Sequence, residues 1–278
     1  MTSVAEVQRA VESLWPAATA EDWDAVGLIA GDPADPVERV LLAVDAVDAT
    51  AAEAVERGAD LLLVHHPLLL RGATSVAATT PAGRVITRLV RERVALLAAH
   101  TNADAVDRGT SGELASMLGL TDATPIVVNR VDEALGLGRV GDLPEPVALG
   151  ELVRTLATLL PAVAGGLRAA GDPARQVRRV AICGGAGDSL LRERAVAGAD
   201  VYITSDLRHH PASDARERHA AGEGPALVDV SHWASESLWL RPAAEQLRAA
   251  LSGVEVLVSD IRTDPWDFAV PQEEHAWH

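Results

Sequence analysis

Short apolar runs of four to six residues punctuate the chain and alternate with longer stretches of helical period. The runs are Val40 to Val44, Leu61 to Val64, Val94 to Ala99, Val180 to Cys183, Val201 to Thr204 and Ala226 to Val230. Runs this short and this continuously apolar fit strands covered on both faces. The Ala-, Glu- and Arg-rich stretches between them fit crossover helices. The pattern predicts an α/β fold with mostly parallel sheets. A helical run from Leu149 to Leu160 and one last strand, Val254 to Val258, extend it. Leu143 to Pro146 reads as a turn, Gly165 to Arg175 as a Gly/Pro-containing connection, and the chain after Pro271 as a frayed tail.

The pattern also repeats. Arg39-Val40 recurs as Arg179-Val180, 140 positions on, and the same offset relates Asp48 to Asp188 and Gly58-Ala59-Asp60 to Gly198-Ala199-Asp200. Each copy then runs into a further strand that ends near a histidine. His100 heads His100-Thr101-Asn102-Ala103-Asp104, and His232 heads His232-Trp233-Ala234-Ser235-Glu236. Both read as His, three residues, then a carboxylate. The expectation is two similar, duplicated α/β halves, residues 1–128 and 129–262, followed by a C-terminal tail, 263–278. The last strand of the second half can pack on the first.

Composition narrows the chemistry. Of the 278 residues 48% are hydrophobic, enough for a sizeable core, yet only six Trp, one Tyr and one Phe are aromatic. All 24 basic residues are Arg, so no lysine serves as a Walker-A residue, Schiff base or general base. The net charge of −16 speaks against general nucleic-acid binding. Cys183 is the one cysteine, which leaves no internal disulfide. Met1 to Trp15 carries Glu6 and Glu12 and no basic stretch, and no apolar run approaches the length of a membrane span. A cytoplasmic protein is expected.

Histidines carry the candidate chemistry. His65, His66, His100, His210 and His232 all follow strands, and α/β sheets bind ligands outside the carboxyl ends of their strands. Adjacent strand side chains point to opposite faces, so His65 and His66 should diverge, toward two ions or two sides of one cluster. With Ser231 as an N-cap, His232 and Glu236 share one helical face. Each of these pieces alone is as readily an ordinary polar strand exit or an exposed i,i+4 pair. Together they form a mixed N/O set too rich for one catalytic zinc, and they suit two divalent ions about 3.5–4 Å apart. The second copy of His65-His66 falls at Ser205-Asp206, so the repeat is not symmetric. Asp206 and His209 read as supports behind the ligands or as a proton donor, His209 equally as a solvated loop residue; His219, His275 and His278 read as surface and Cys183 as core. Gly184 to Asp188 reads as a tight strand-to-helix turn rather than a phosphate cradle, and Arg108 to Gly112 as a helix-entry loop.

These segments resemble the dinuclear-metal, ring-hexamer family of GTP cyclohydrolase 1 type 2 homologues. The resemblance lies in Trp23 to Leu28, Val64-His65-His66-Pro67, His100 to Asp104, Gly184 to Gly187, Gly198 through Asp206, His210, and His232 with Glu236. It implies metal ligands at His65, His66, Asp104, His232 and Glu236, with His100 a ligand or a near neighbour. It implies two divalent ions per chain (Zn, Fe, Mn or similar) and a homohexamer. Some family members carry a domain between the halves, and the connection here is too short for one. A Gly-Asp pair common in the family is here Ser205-Asp206, which can alter the local turn.

The leading functional expectation is a metal-dependent hydrolase acting on a small molecule of unidentified class. His100 and His210 are the candidate catalytic residues, as proton shuttles. Two rivals use the same ligands: a non-enzymatic, metal-stabilised scaffold or metal-handling protein, and a two-metal phosphoesterase.

Overall fold

The computed structural model describes residues 1–270; the tail after Pro271, with His275 and His278, lies outside them. The chain folds as a mixed α/β protein around two main sheets. The first sheet orders its strands as Glu255–Val258, Arg39–Asp45, Leu61–His66, Ala95–Ala98 and Gly27–Ala30. The first four are parallel and Gly27–Ala30 is antiparallel at the edge. The second sheet runs Arg168–Ala170, Ala226–Val230, Val201–Ser205, Gln176–Ala186, Arg139–Ala148 and Thr121–Thr124. Its three central strands are parallel, and the others pair antiparallel.

Both faces of the first sheet are covered, as the continuous apolar runs require. Val40, Leu42, Leu61, Leu63 and Leu97 face one cluster; Leu41, Ala43, Leu62, Val64 and Leu96 face the other. The second sheet does the same, with Val180, Ile182, Val201 and Ile203 on one side and Ala181 and Tyr202 on the other. The two sheets share local wiring. Asp60 accepts from the backbone N–H of Glu38 and Arg39, and Asp200 from those of Arg178 and Arg179. In both, the backbone of the same aspartate bridges two parallel strands.

The longest helix among the described residues, His232–Ala250, packs against both sheets. Ser231 caps it, accepting from Ala234 N at 3.2 Å. Ala234 packs with the second sheet, while Trp239, Leu240, Ala243 and Leu247 pack into the core of the first. The chain then adds Glu255–Val258 beside Arg39–Asp45, so the first sheet is completed by the end of the chain.

Three local expectations need correction. Leu143 to Pro146 does not turn the chain. It lies within the Arg139–Ala148 strand, where pairing slips between Asp142 and Val147, because proline supplies no ladder N–H. The connection Gly165 to Arg175 contains the edge strand Arg168–Ala170. Gly184 to Ala186 extend a strand rather than forming a turn. In addition, the segment from Thr263 is held to the body of the protein: Thr263 donates to Asp45, and Ser231 donates to Asp264 at 2.6 Å.

Candidate metal centre

His65 and His66 are the last two residues of the Leu61–His66 strand. Their rings do not diverge to separate sites. They lie 5.0 Å apart by centroid, and both turn toward Glu236. Glu236 rises one turn above His232 on the capped helix and is 3% exposed. His66 Nε2 is 2.9 Å from its Oε2, His232 Nε2 is 2.9 Å from Oε1, and His65 Nε2 is 3.6 Å from Oε1. Asp104 Oδ1 stands 3.6 Å from His65 Nε2 and accepts from Thr110 Oγ1 at 2.5 Å. Buried Arg139 secures the chain just past Asp104, donating to the carbonyls of Ala105 and Val106.

His100 completes the ring of imidazoles. Its ring centroid is 5.1 Å from that of His65 and 5.5 Å from that of His66. One donor atom each from His65, His66 and His100 lie within 4.8 Å of one another, as do donors from His66, His232 and Glu236. The two groups share His66.

Each imidazole is fixed from behind. His65 Nδ1 donates to Ala99 O at 2.9 Å, His66 Nδ1 to Asp45 at 2.7 Å, His100 Nδ1 to Asp24 at 2.8 Å, and His232 Nδ1 to Asp206 at 2.7 Å. A carbonyl or carboxylate only accepts, so in every case Nδ1 carries the hydrogen. A neutral ring then presents a bare lone pair at Nε2. Two such atoms, on His66 and His232, sit 3.1 Å apart. His65 Nε2 and Glu236 Oε2 are buried without a hydrogen-bond partner. With a neutral ring the 2.9 Å approach of His66 Nε2 to Oε2 sets a lone pair against a carboxylate oxygen, and only a proton or a metal ion makes it attractive. Converging lone pairs and carboxylate oxygens in a buried space demand cations, and this donor set fits divalent metal of the Zn, Mn or Fe kind.

Protons answer the same demand in the metal-free chain. Burial opposes charge on His66, but Glu236 and Asp45 outweigh it and raise the ring to about 11. Burial likewise opposes charge on His232, yet Glu236 and Asp206 lift it to about 10. Glu236 goes the other way. Burial would raise it, and His66, His65 and His232 together hold it well below the usual carboxylate range. Asp24 and Asp45 are lowered in the same manner by their histidines against the cost of burial. In Asp206 the hydrogen bond from His232 dominates and lowers it.

Gly185 leaves room for this cluster. It has φ +70°, and a Cβ there would stand 2.4 Å from Glu236 Oε1 and 3.2 Å from His232 Nε2. The sequence reading treats Gly184 to Gly187 only as a turn; the signal for a site is the missing side chain beside a buried carboxylate. Asp24 and Asp45 also escape it as supports, although Asp24 falls in one of the resembling segments; Asp206, a candidate support in the sequence, takes that place behind His232.

His210 is not brought to the cluster. It lies in the first turn of the exposed helix His209–Ala220, against His209, and lines a separate surface cleft with Asp188 and Arg208. His219 is half-buried rather than on the surface, with Nδ1 2.9 Å from Gly224 O. Cys183 is held in its strand among buried groups, and burial pushes its thiol up to about 12.

A cavity of about 700 Å³ opens onto His66 and His232. Trp233, Trp266 and Phe268 line it, together with Asp45, Asp206 and Asp264.

The fold and the cluster define a two-sheet α/β protein with a histidine–carboxylate centre at its strand ends. Residues 2–265 match the Duf34/NIF3 (NGG1p interacting factor 3) family, and the chain belongs to it. A Streptomyces coelicolor protein named GTP cyclohydrolase 1 type 2 homolog is 47% identical over 272 residues, covering 96% of this chain and 94% of its own. A Mycobacterium tuberculosis protein of the same name is 35% identical over 371 aligned positions, covering 95% and 96%. That alignment is longer than this chain, so the mycobacterial relative carries inserted sequence that this chain lacks. Among solved structures, a Bacillus cereus protein related to NIF3 superposes with a TM-score of 0.87 at 22% identity, covering 96% of this chain and 99% of its own. A Staphylococcus aureus protein gives 0.86 at 26% identity, with the same coverage. No helix among the described residues is long and apolar enough to cross a membrane.

Proposed function

We propose that this protein is a metal-dependent hydrolase with a dinuclear centre lying between two duplicated halves. The observation that carries the reading is the convergence of four Nδ1-anchored histidines near one buried carboxylate, Glu236. His65, His66, Asp104, His232 and Glu236 would hold two divalent ions, and His100 is in reach of the same place. Ions held there would polarise a substrate oxygen and lower the pKa of water toward neutrality. The chain's own groups do the rest. Asp45 and Asp206 orient His66 and His232; Asp24 does the same for His100. Buried Glu236 draws the imidazoles together from both halves.

The cavity favours catalysis over a purely structural metal. A structural site is closed by protein, whereas His66 and His232 here face an open space large enough for a small molecule. His100 is the candidate proton carrier within the cluster. His210 has no place in this site as it stands in one chain. The matching hydrogen bonds at Asp60 and Asp200 support duplication, with halves at 1–128 and 129–262 and the closing strand exchanged to the first sheet. A homohexamer is carried over from the family resemblance.

The test is a hydrolysis panel run on metal-reconstituted protein: GTP, phosphomonoesters, phosphodiesters and amino-substituted heterocycles. Saturable turnover of one class, lost in Glu236→Gln, is expected. Fully metal-loaded protein that turns over none of them puts the scaffold or metal-handling reading in its place.

A further inference from the structure

A second cleft, of about 390 Å³, adjoins the cavity beside His66 and His232, and Arg168 and Asp229 line both. Its floor is the edge of the second sheet. Arg168 pairs in register with Asp229, and Ala170 with Leu227, so alternate positions put these four side chains on one face. Ala170 and Leu227 pack into the core around Tyr202. Its wall is the helix His209–Ala220. His209, Ala212, Ser213 and Arg216 stand at i, i+3, i+4 and i+7, one face of that helix, and all four line the cleft.

The charge of this lining runs against that of the chain. The protein carries −16 overall, yet two arginines and a histidine stand here against one carboxylate, Asp229. Asp229 is buried and already answered: Leu207 N donates to its Oδ1 at 3.2 Å, and Arg168 donates to its Oδ2. The Arg168 side chain is still 74% exposed, with N–H donors to spare. Arg216 is exposed, and its guanidinium has no ion-pair partner among the described residues. The acids of the same helix lie off this face: Asp214 and Glu217 line the cleft that holds His210, where Asp214 pairs with Arg192. Like charges gathered in one concave space repel until an anion joins them, and the guanidinium fork fits phosphate oxygens two at a time. At the other end of the shared space His66 and His232 add positive charge, as protonated rings or through the metal they would hold. Of the aspartates at that end, Asp45 and Asp206 are bonded to those two histidines and Asp264 accepts from Ser231.

We propose that the second cleft is an anion subsite that takes a phosphate group, with Arg216 and Arg168 its specificity-determining side chains. The ligand is a phosphorylated small molecule that reaches from there, past Arg168, into the cavity beside His66 and His232. That its far end is hydrolysed rests on the hydrolase reading; the phosphate subsite does not.

Inorganic phosphate is the probe, titrated by calorimetry into the protein as purified, with metal content measured on the same samples. Wild type is expected to bind it in the low millimolar range or more tightly. Arg216→Gln should weaken it by about tenfold, the scale of one lost charge-assisted contact, with metal content unchanged. Arg154→Gln removes the same charge from an exposed arginine that lines neither space, and should leave binding as it is. No binding by wild type at millimolar concentration overturns the inference. So does an Arg216→Gln protein that binds as tightly as wild type, since the phosphate is then held at the histidine cluster or its metal. Equal weakening in Arg154→Gln overturns it too, because overall charge then accounts for the effect. Samples without metal that still bind phosphate through Arg216 sink the hydrolase reading and leave the subsite standing.

Discussion

Glu236 sits where the imidazoles of His65 and His66, from one strand end, meet that of His232 on its own helix, and its neighbours leave it little freedom. Gly185 is the most exacting of them. Replacing it with Ala places a methyl against Glu236 and His232 on backbone that costs an L-residue about 1–2 kcal/mol. The expected outcome is a folded protein with depleted metal, read by circular dichroism and metal analysis together; full metal content in Gly185→Ala would contradict the geometry. The histidines also fix the pH response of metal-free protein. His66 and His232 are raised to about 11 and about 10 from an ordinary 6.5. The folded chain therefore holds protons that the unfolded chain has released, and stability falls as pH rises. Their contribution is complete below about 6.5 and lost through pH 10 to 11. Cys183, raised to about 12, acts with the same sign above its ordinary value of 9. Thermal melts of chelator-treated protein should show a melting temperature that declines from pH 6.5 to 10, and a flat or rising profile would refute the charge assignment. At this scale the ligand types were legible because His65-His66 and the two His-x-x-x-carboxylate segments are local patterns. The roles of Asp24, Asp45 and Gly185 were not. They reach the site through strand register and loop approach, as Asp45 does by lying beside His66 in the sheet.

The helix His232–Ala250 links chemistry to core. Its first turns carry His232 and Glu236, and its middle carries Trp239, fully buried against Trp15 at 5.0 Å and His65 at 5.4 Å. Removing a buried indole leaves a cavity under the histidine–carboxylate cluster. Trp239→Ala should cost about 3–5 kcal/mol of stability, measured by denaturant unfolding. A loss under about 1 kcal/mol would mean that this helix is not packed as described. Strands at this scale were readable from their apolar runs, since sheets covered on both faces leave an unbroken signature. The long strand Arg139–Ala148 was not, because Pro144 and Pro146 carry a strong turn signal that tertiary pairing overrides.

At the scale of the whole molecule, side chains far apart in sequence meet in one cluster. His65, His66, His100 and Asp104 come from residues 1–128 and His232 and Glu236 from residues 129–262, and the strand Glu255–Val258 pairs with Arg39–Asp45 in the first sheet. The repeated residues allowed two halves to be expected from sequence. That the last strand can join the first sheet was expected as well; the clasp at Thr263 and Asp264 was not, because it depends on how the two sheets dock. The central claim is that this docking builds a site for two metal ions. Metal content per chain, measured by inductively coupled plasma mass spectrometry on tag-free wild type and Glu236→Ala side by side, tests it most directly. The prediction is close to two divalent ions per wild-type chain and clear depletion in the variant. Wild-type protein that holds no metal, even after reconstitution with Zn, Mn and Fe(II), would contradict it.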